Sequence, residues 1–173
     1  MIRATGVDID ALVVGPGGGE AIAGFGMWHK VSARHLDRQL LVMEGEIRPG
    51  QLIFPHTHSR EDECAYVISG TVHYEIGDEV RAATAGTYVV KPRGVPHAFW
   101  NSGTEPARVL EMHVPATFER FYDELASIFA THAVGSQQWR DEFDRLNGRY
   151  GIIQHWDRVA EIYSQYGVGG ELS

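Results

Sequence analysis

The sequence predicts an all-β chain, a sandwich or closed barrel, with a helical appendage at its C-terminal end. Three observations lead there. Between about Gln39 and Pro115, short runs rich in Val, Ile, Tyr and Phe alternate with Gly and Pro, the pattern of strands and turns. No helical period interrupts these runs, so a parallel sheet built from alternating strands and helices is excluded. Beyond Pro115 the apolar residues change to the spacing of amphipathic helices.

The first 36 residues hold two strand-like runs, 12–14 and 21–28. The stretch from Val13 to Glu20 is glycine-rich, but it has neither dinucleotide-loop spacing nor a closing Gly-Lys-Ser/Thr, and it reads as a turn between two strands. Strands are then expected over 40–47, 51–54, 64–69, 71–76, 87–91, 97–101 and 107–114. Gly77-Asp78 follows the fourth of these as a tight hairpin turn. Phe118, Phe121, Tyr122, Leu125, Ile128 and Phe129 form one helical stripe, with Thr117 placed to cap it. A second helix is expected over 136–147, stopping at Asn147-Gly148, and a third over 152–166, stopping at Gly167. These stripes are packing faces against the barrel. The 173 residues therefore form one domain: an N-terminal extension over 1–36, a barrel over 37–116 and helices over 117–173.

Composition narrows the function. A net charge of −8 without a basic cluster excludes a nucleic-acid partner. No apolar run reaches the ~20 residues of a membrane span, and the N-terminus lacks a signal-peptide core. The single cysteine, Cys64, agrees with a reducing compartment. A cytoplasmic protein is expected. Strand-like runs outside a minimal barrel favour a two-fold homodimer.

Of nine histidines, His29, His35, His132 and His155 are scattered and expected at the surface. The chemistry lies in two ordered stretches. In the first, Gly50 is followed after five residues by His56, after one more by His58, after four by Glu63 and after six by Gly70. In the second, Gly86 is followed after five by Pro92, after one by Gly94, after two by His97 and after three by Asn101. On an extended strand residues i and i+2 share a face, so His56 and His58 project together. The loop over 59–62 returns the chain so that Glu63 points at the same place. Three imidazoles and a carboxylate suit one divalent transition ion, Fe, Mn, Co, Ni, Cu or Zn, and they leave coordination positions open, as in catalytic sites.

With every fixed position filled, this pattern resembles the two consensus motifs of the cupin superfamily. The fifteen residues between Gly70 and Gly86 are similar to the short intermotif spacing of small single-domain cupins. The segment 115–129 and the Tyr166-Gly167-Val168 ending resemble the tails of cupins similar to quercetin 2,3-dioxygenase. The resemblance implies a double-stranded β-helix, or jelly-roll, and metal-ligand roles for His56, His58, Glu63 and His97.

Alternation along the strands predicts the pocket. Inward faces are expected to carry Phe99 with His97, Ala65 and Val67 with Glu63, and Val72, Tyr74 and Ile76, leaving His73 and Glu75 to solvent. Tyr88 and Val90, with Leu110 and Met112, are expected to complete an apolar wall with few charges. Cys64 turns to the opposite face, and Arg48 and Arg93 lie on turns. Phe99, Tyr74, Met112 and Tyr88 are thus the expected substrate contacts and Glu63 the expected base. Such a lining suits a small aromatic, enolic or polyketide-like molecule. The reaction expected first is a dioxygenation. A Lewis-acid isomerase, cyclase or decarboxylase and a non-catalytic binding module remain open.

Overall fold

The computed structural model describes residues 12–169. Its strands are β1 (Glu20–Ile22), β2 (Met27–Val31), β3 (Leu41–Ile47), β4 (Leu52–His58), β5 (Asp62–Ser69), β6 (Thr71–Ile76), β7 (Glu79–Thr84), β8 (Tyr88–Lys91), β9 (His97–Trp100), β10 (Ala107–Val114) and β11 (Ile152–Gln154). The helices α1 (Phe121–Thr131), α2 (Gln137–Tyr150) and α3 (Trp156–Tyr166) follow the barrel strands. Two antiparallel sheets face each other, one in the order β1-β2-β3-β10-β5-β8 and the other β11-β4-β9-β6-β7. This is the double-stranded β-helix, with a C-terminal helical appendage.

Three packing regions hold it together. Inside the barrel, Ile47, Val67, Val72, Tyr74, Phe99 and Val109 interdigitate between the sheets. At one end, Leu41 and Met43 pack with Phe118, Phe121, Trp139 and Phe143 of the appendage. On the outer face of the second sheet, Leu52, Ala98 and Trp100 are covered by Ile162 of α3 and by Val168. Each fully buried side chain of this kind is worth about 1.5–3 kcal/mol of apolar transfer. The appendage is thus part of the core rather than an attachment to it.

Several expectations are corrected. Residues 12–14 are exposed and belong to no strand, so the glycine-rich turn precedes β1 instead of joining two strands. Strand β7 is poor in β-forming residues. The two-residue turn at Gly77-Asp78 pairs it with β6 along its whole length, Thr71 to Thr84 and Ile76 to Glu79. Helix α1 begins at Phe121 with no side-chain cap, because the Thr117 hydroxyl donates to Glu61 instead. Helix α2 does not stop at Asn147-Gly148. It runs to Tyr150 and ends at Gly151, whose φ is 74°. A Cβ at Gly151 would come within 2.4 Å of Ser59 Oγ, so glycine is required there by backbone conformation and by close approach. The next three residues are a strand and not a helical turn, because the Ser59 N–H bonds to Gly151 O at 2.9 Å and aligns β11 with β4.

Candidate metal centre

His56 and His58 sit on β4, Glu63 on β5 and His97 on β9. A register shift between Ile53 and His56 resets β4 against β9, and His56 then lies opposite His97. Such a bulge re-aims side chains without ending the strand. The four residues are buried, and one ligand atom from each lies within 4.8 Å of all the others.

The hydrogen bonds behind the rings decide their tautomers. His56 Nδ1 donates to Phe54 O at 2.6 Å and His97 Nδ1 to Val95 O at 3.1 Å. A carbonyl oxygen only accepts, so these protons are on Nδ1. His58 Nδ1 lies 3.2 Å from the Glu61 carboxylate, which also accepts from Thr117. In the neutral rings each Nε2 is then a free lone pair. His97 Nε2 lies 2.7 Å from Glu63 Oε2, and His58 Nε2 lies 3.5 Å from Glu63 Oε1. Lone pairs face lone pairs, an arrangement that a cation between them relieves. His97 Nε2 is buried without a hydrogen-bond partner among the described residues, and apart from that nitrogen Glu63 Oε2 has beside it only the Lys91 ammonium at 3.4 Å. The donor set therefore fits one divalent transition ion held by His56, His58, Glu63 and His97, with outer hydrogen bonds that fix each ring.

The electrostatics agree. Burial pushes the His56 imidazole well below its ordinary value, with neighbouring His97 and His58 adding to the effect. His97 is likewise lowered by burial. For Glu63 burial acts upward, but Lys91, His113 and His58 outweigh it and hold the carboxyl well below the usual carboxylate range. These directions favour neutral His56 and His97 and an ionised Glu63, the forms that bind a metal.

The lining differs from the expected apolar wall. Glu63 pairs in register with Lys91, and His113 with Glu63, so the inward residues of β8 and β10 include Lys91, Glu111 and His113. Tyr88 and Val90 face out at 67% and 61% exposure. Leu110 and Met112 take the outer, half-buried face of β10. Of the expected substrate contacts, Phe99 lines the cavity beside the ligands, whereas Tyr74 is packed in the barrel core behind it. Lys91 Nζ lies 2.8 Å from Glu111 and 3.4 Å from Glu63. A lysine enters the interior only when it is paired in this way. His113 Nδ1 is 3.0 Å from Glu63 Oε1, and burial lowers this ring to about 4. Sequence reasoning missed Lys91, Glu111 and His113 because it assigned inward faces by apolarity. The available signal was cross-strand register with Glu63.

Two of the remaining histidine and acid expectations also change. His29 is buried against Tyr122 and not on the surface. Glu75 is buried because α3 covers its face and Arg158 pairs with it at 2.8 Å. Cys64 is half-buried on the outer face, as alternation requires.

A cavity of about 130 Å³ opens onto the ligands. Its walls come from β2 and β4 (Met27, Phe54), α1 (Phe121, Tyr122, Leu125), α2 (Phe143, Asn147) and β11 (Ile152, Gln154). The appendage thus roofs the barrel mouth as well as packing on it. Among the described residues no helix is long and apolar enough to cross a membrane.

A jelly-roll with three imidazoles and one carboxylate gathered on its inner face defines the class: a β-barrel protein whose interior carries a side-chain cluster able to hold a metal ion. Residues 43–113 match the family model described as the Cupin domain, so this stretch of the chain is similar to cupin domains. Protein SchB of Streptomyces halstedii is 31% identical over 64 residues, 37% of this chain and 46% of that protein. The chain thus matches less than half the length of this curated relative. Among solved structures, a predicted oxalate decarboxylase from Thermotoga maritima aligns with TM-score 0.50 and 21% identity, over 51% of this chain and 78% of that one. An uncharacterized protein with a double-stranded β-helix domain from Klebsiella pneumoniae aligns with TM-score 0.47 and 23% identity, covering 66% and 93%. At 21% identity the likeness to the Thermotoga maritima structure is one of fold.

Proposed function

We propose that this chain is a metal-dependent cupin enzyme of the dioxygenase type, acting on a small aromatic, enolic or polyketide-like compound. The observation that carries the reading is the aromatic chamber that opens directly onto His56, His58 and Glu63. The ion, when bound, supplies Lewis acidity and, if redox-active, electron transfer towards O₂. The chain's own residues supply the rest. Phe54, Phe99 and Phe118 offer flat apolar surface for a ring and exclude water. Glu63, held ionised, accepts a proton from an acidic substrate hydroxyl.

His113, Lys91 and Glu111 favour a second reading. Three buried proton-carrying groups beside the ligands would also serve an isomerase, cyclase or decarboxylase in which the ion acts as a Lewis acid and Glu63 or His113 moves a proton. We propose a small-molecule substrate and a two-fold homodimer as the partners, the latter readable from solution mass by light scattering. The decisive experiment is anaerobic purification with elemental analysis, then an oxygen-electrode screen on flavonols, catechols and diketones. Oxygen uptake with product supports the dioxygenase. Product without oxygen uptake moves the assignment to the second reading, and tight binding without turnover reduces the protein to a binding module.

A further inference from the structure

Asn147 lies in α2 at 1% exposure, and neither its Oδ1 nor its Nδ2 has a hydrogen-bond partner among the described residues. A buried amide offers two donors and two acceptor sites, and native interiors rarely leave such a group unmet. Gln154 repeats the anomaly: its Oε1 is buried and unpartnered. Both side chains line the cavity that opens onto His56, His58 and Glu63.

Their placement is specific. On β11, Gln154 pairs with His56 and Ile152 with His58. Directly opposed residues on antiparallel strands point to the same face, with Cβ atoms about 5 Å apart. The Gln154 amide therefore sits one strand away from a metal ligand, on the ligand side of the sheet. Asn147 arrives from α2 above the same strand. Two neutral amides contributed by the appendage thus face a chamber whose walls on that side are aromatic and aliphatic, and Lys91, the cation of its lining, is already engaged by Glu111 and Glu63.

We propose that Asn147 and Gln154 form a polar subsite for a second, uncharged oxygen of the substrate, a hydroxyl or a carbonyl, next to the oxygen presented to the metal ligands. The subsite rests on the reading of this cavity as the substrate chamber. It narrows the substrate class to oxygen-rich rings or enols and disfavours hydrocarbon rings with one polar group and carboxylated or phosphorylated compounds. Amides both donate and accept, so they take a hydroxyl in either sense, while they offer no charge to an anion.

The test has two readouts. Asn147→Leu and Gln154→Leu replace an unmet amide with an apolar group of similar volume. In ligand-free protein Asn147→Leu should raise Tm by about 2–5 °C, since removal of an unsatisfied buried group is stabilising. Calorimetric titration of the Zn(II)-loaded protein with catechol and with pyrogallol then reads the subsite without turnover. Wild type should bind pyrogallol about ten-fold more tightly than catechol, the worth of one good hydrogen bond. Each leucine variant should bring pyrogallol down to the affinity of catechol. A fall in Tm in both variants means the amides serve the fold, and the inference is overturned. It is equally overturned if the variants keep the pyrogallol preference. If wild type binds neither compound, the chamber reading itself fails, and the subsite goes with it.

Discussion

Glu61 accepts the Nδ1 proton of His58 at 3.2 Å while the hydroxyl of Thr117 donates to its other oxygen, and the His58 and Glu61 side chains are both 1% exposed. The carboxylate thus links a metal-ligand imidazole to the first residues of the appendage. It fixes the ring plane and the tautomer, leaving Nε2 to face the other candidate ligands. Glu61→Ala should weaken Zn(II) binding by roughly 10–100-fold, with Glu61→Gln recovering part of the loss. Competition titration against a chelating dye measures both. An unchanged affinity in Glu61→Ala would remove Glu61 from the metal centre.

Metal should stabilise the whole barrel. A ligand bound only by the folded state adds about 4 kcal/mol at a thousand-fold excess over Kd, so a chelator should lower Tm by several degrees. His58→Ala should abolish most of that difference, since one ligand of four is gone. Elemental analysis and thermal unfolding with and without chelator check this. Failure of the wild type to bind any of Fe, Mn, Co, Ni, Cu or Zn would refute the metal centre.

Lys91 and Glu111 form a buried pair, each with its side chain almost wholly enclosed. Lys91→Met leaves Glu111 and Glu63 without their cation and should cost about 3–5 kcal/mol by urea unfolding. Lys91→Met combined with Glu111→Leu should restore part of it, because the Glu111 charge is removed while that of Glu63 stays. A double variant as unstable as the single one would show that the pair is not the energetic unit.

Glu63→Gln keeps shape and an oxygen donor but removes the charge and the base. In metal-replete protein, oxygen uptake should fall by roughly 10²–10⁴-fold. Metal content must be matched between the two proteins, since loss of the ion mimics loss of the base. A Glu63→Gln enzyme with full turnover would exclude Glu63 as the proton acceptor.

His29 gives the pH dependence of the fold away from the metal. Burial lowers its imidazole below the ordinary 6.5, against upward pulls from Glu119, Glu20 and Asp123 and a downward one from Arg34. The folded ring resists protonation more than the unfolded one. Its stabilising effect is therefore complete above about pH 6.5 and is lost as pH falls towards the folded value. His29→Gln should flatten the decline of Tm between pH 7 and pH 5 relative to wild type. Parallel curves for the two proteins would exclude this contribution.

The sequence alone determined the β-barrel and brought together the four candidate metal ligands. Strand alternation puts His56 and His58 on one face, and fixed Gly and Pro positions return Glu63 and His97 to them; these are local constraints of chain geometry. It also predicted the inward placement of Ala65, Val67 and Val72, which follows from alternation with Glu63 on one strand and with His73 on the next. What only the tertiary structure decided is which face of β8 and β10 turns inward. Lys91, Glu111 and His113 are poor core residues one at a time, and Tyr88, Val90, Leu110 and Met112 are good ones. The order reverses because charges brought together by cross-strand register neutralise one another inside. The same holds for Thr117, Asn147 and Gln154. Thr117 meets Glu61 56 residues away, and Gln154 and Asn147 face a cavity whose ligands lie on barrel strands distant along the chain, separations over which periodicity carries no information and only packing does.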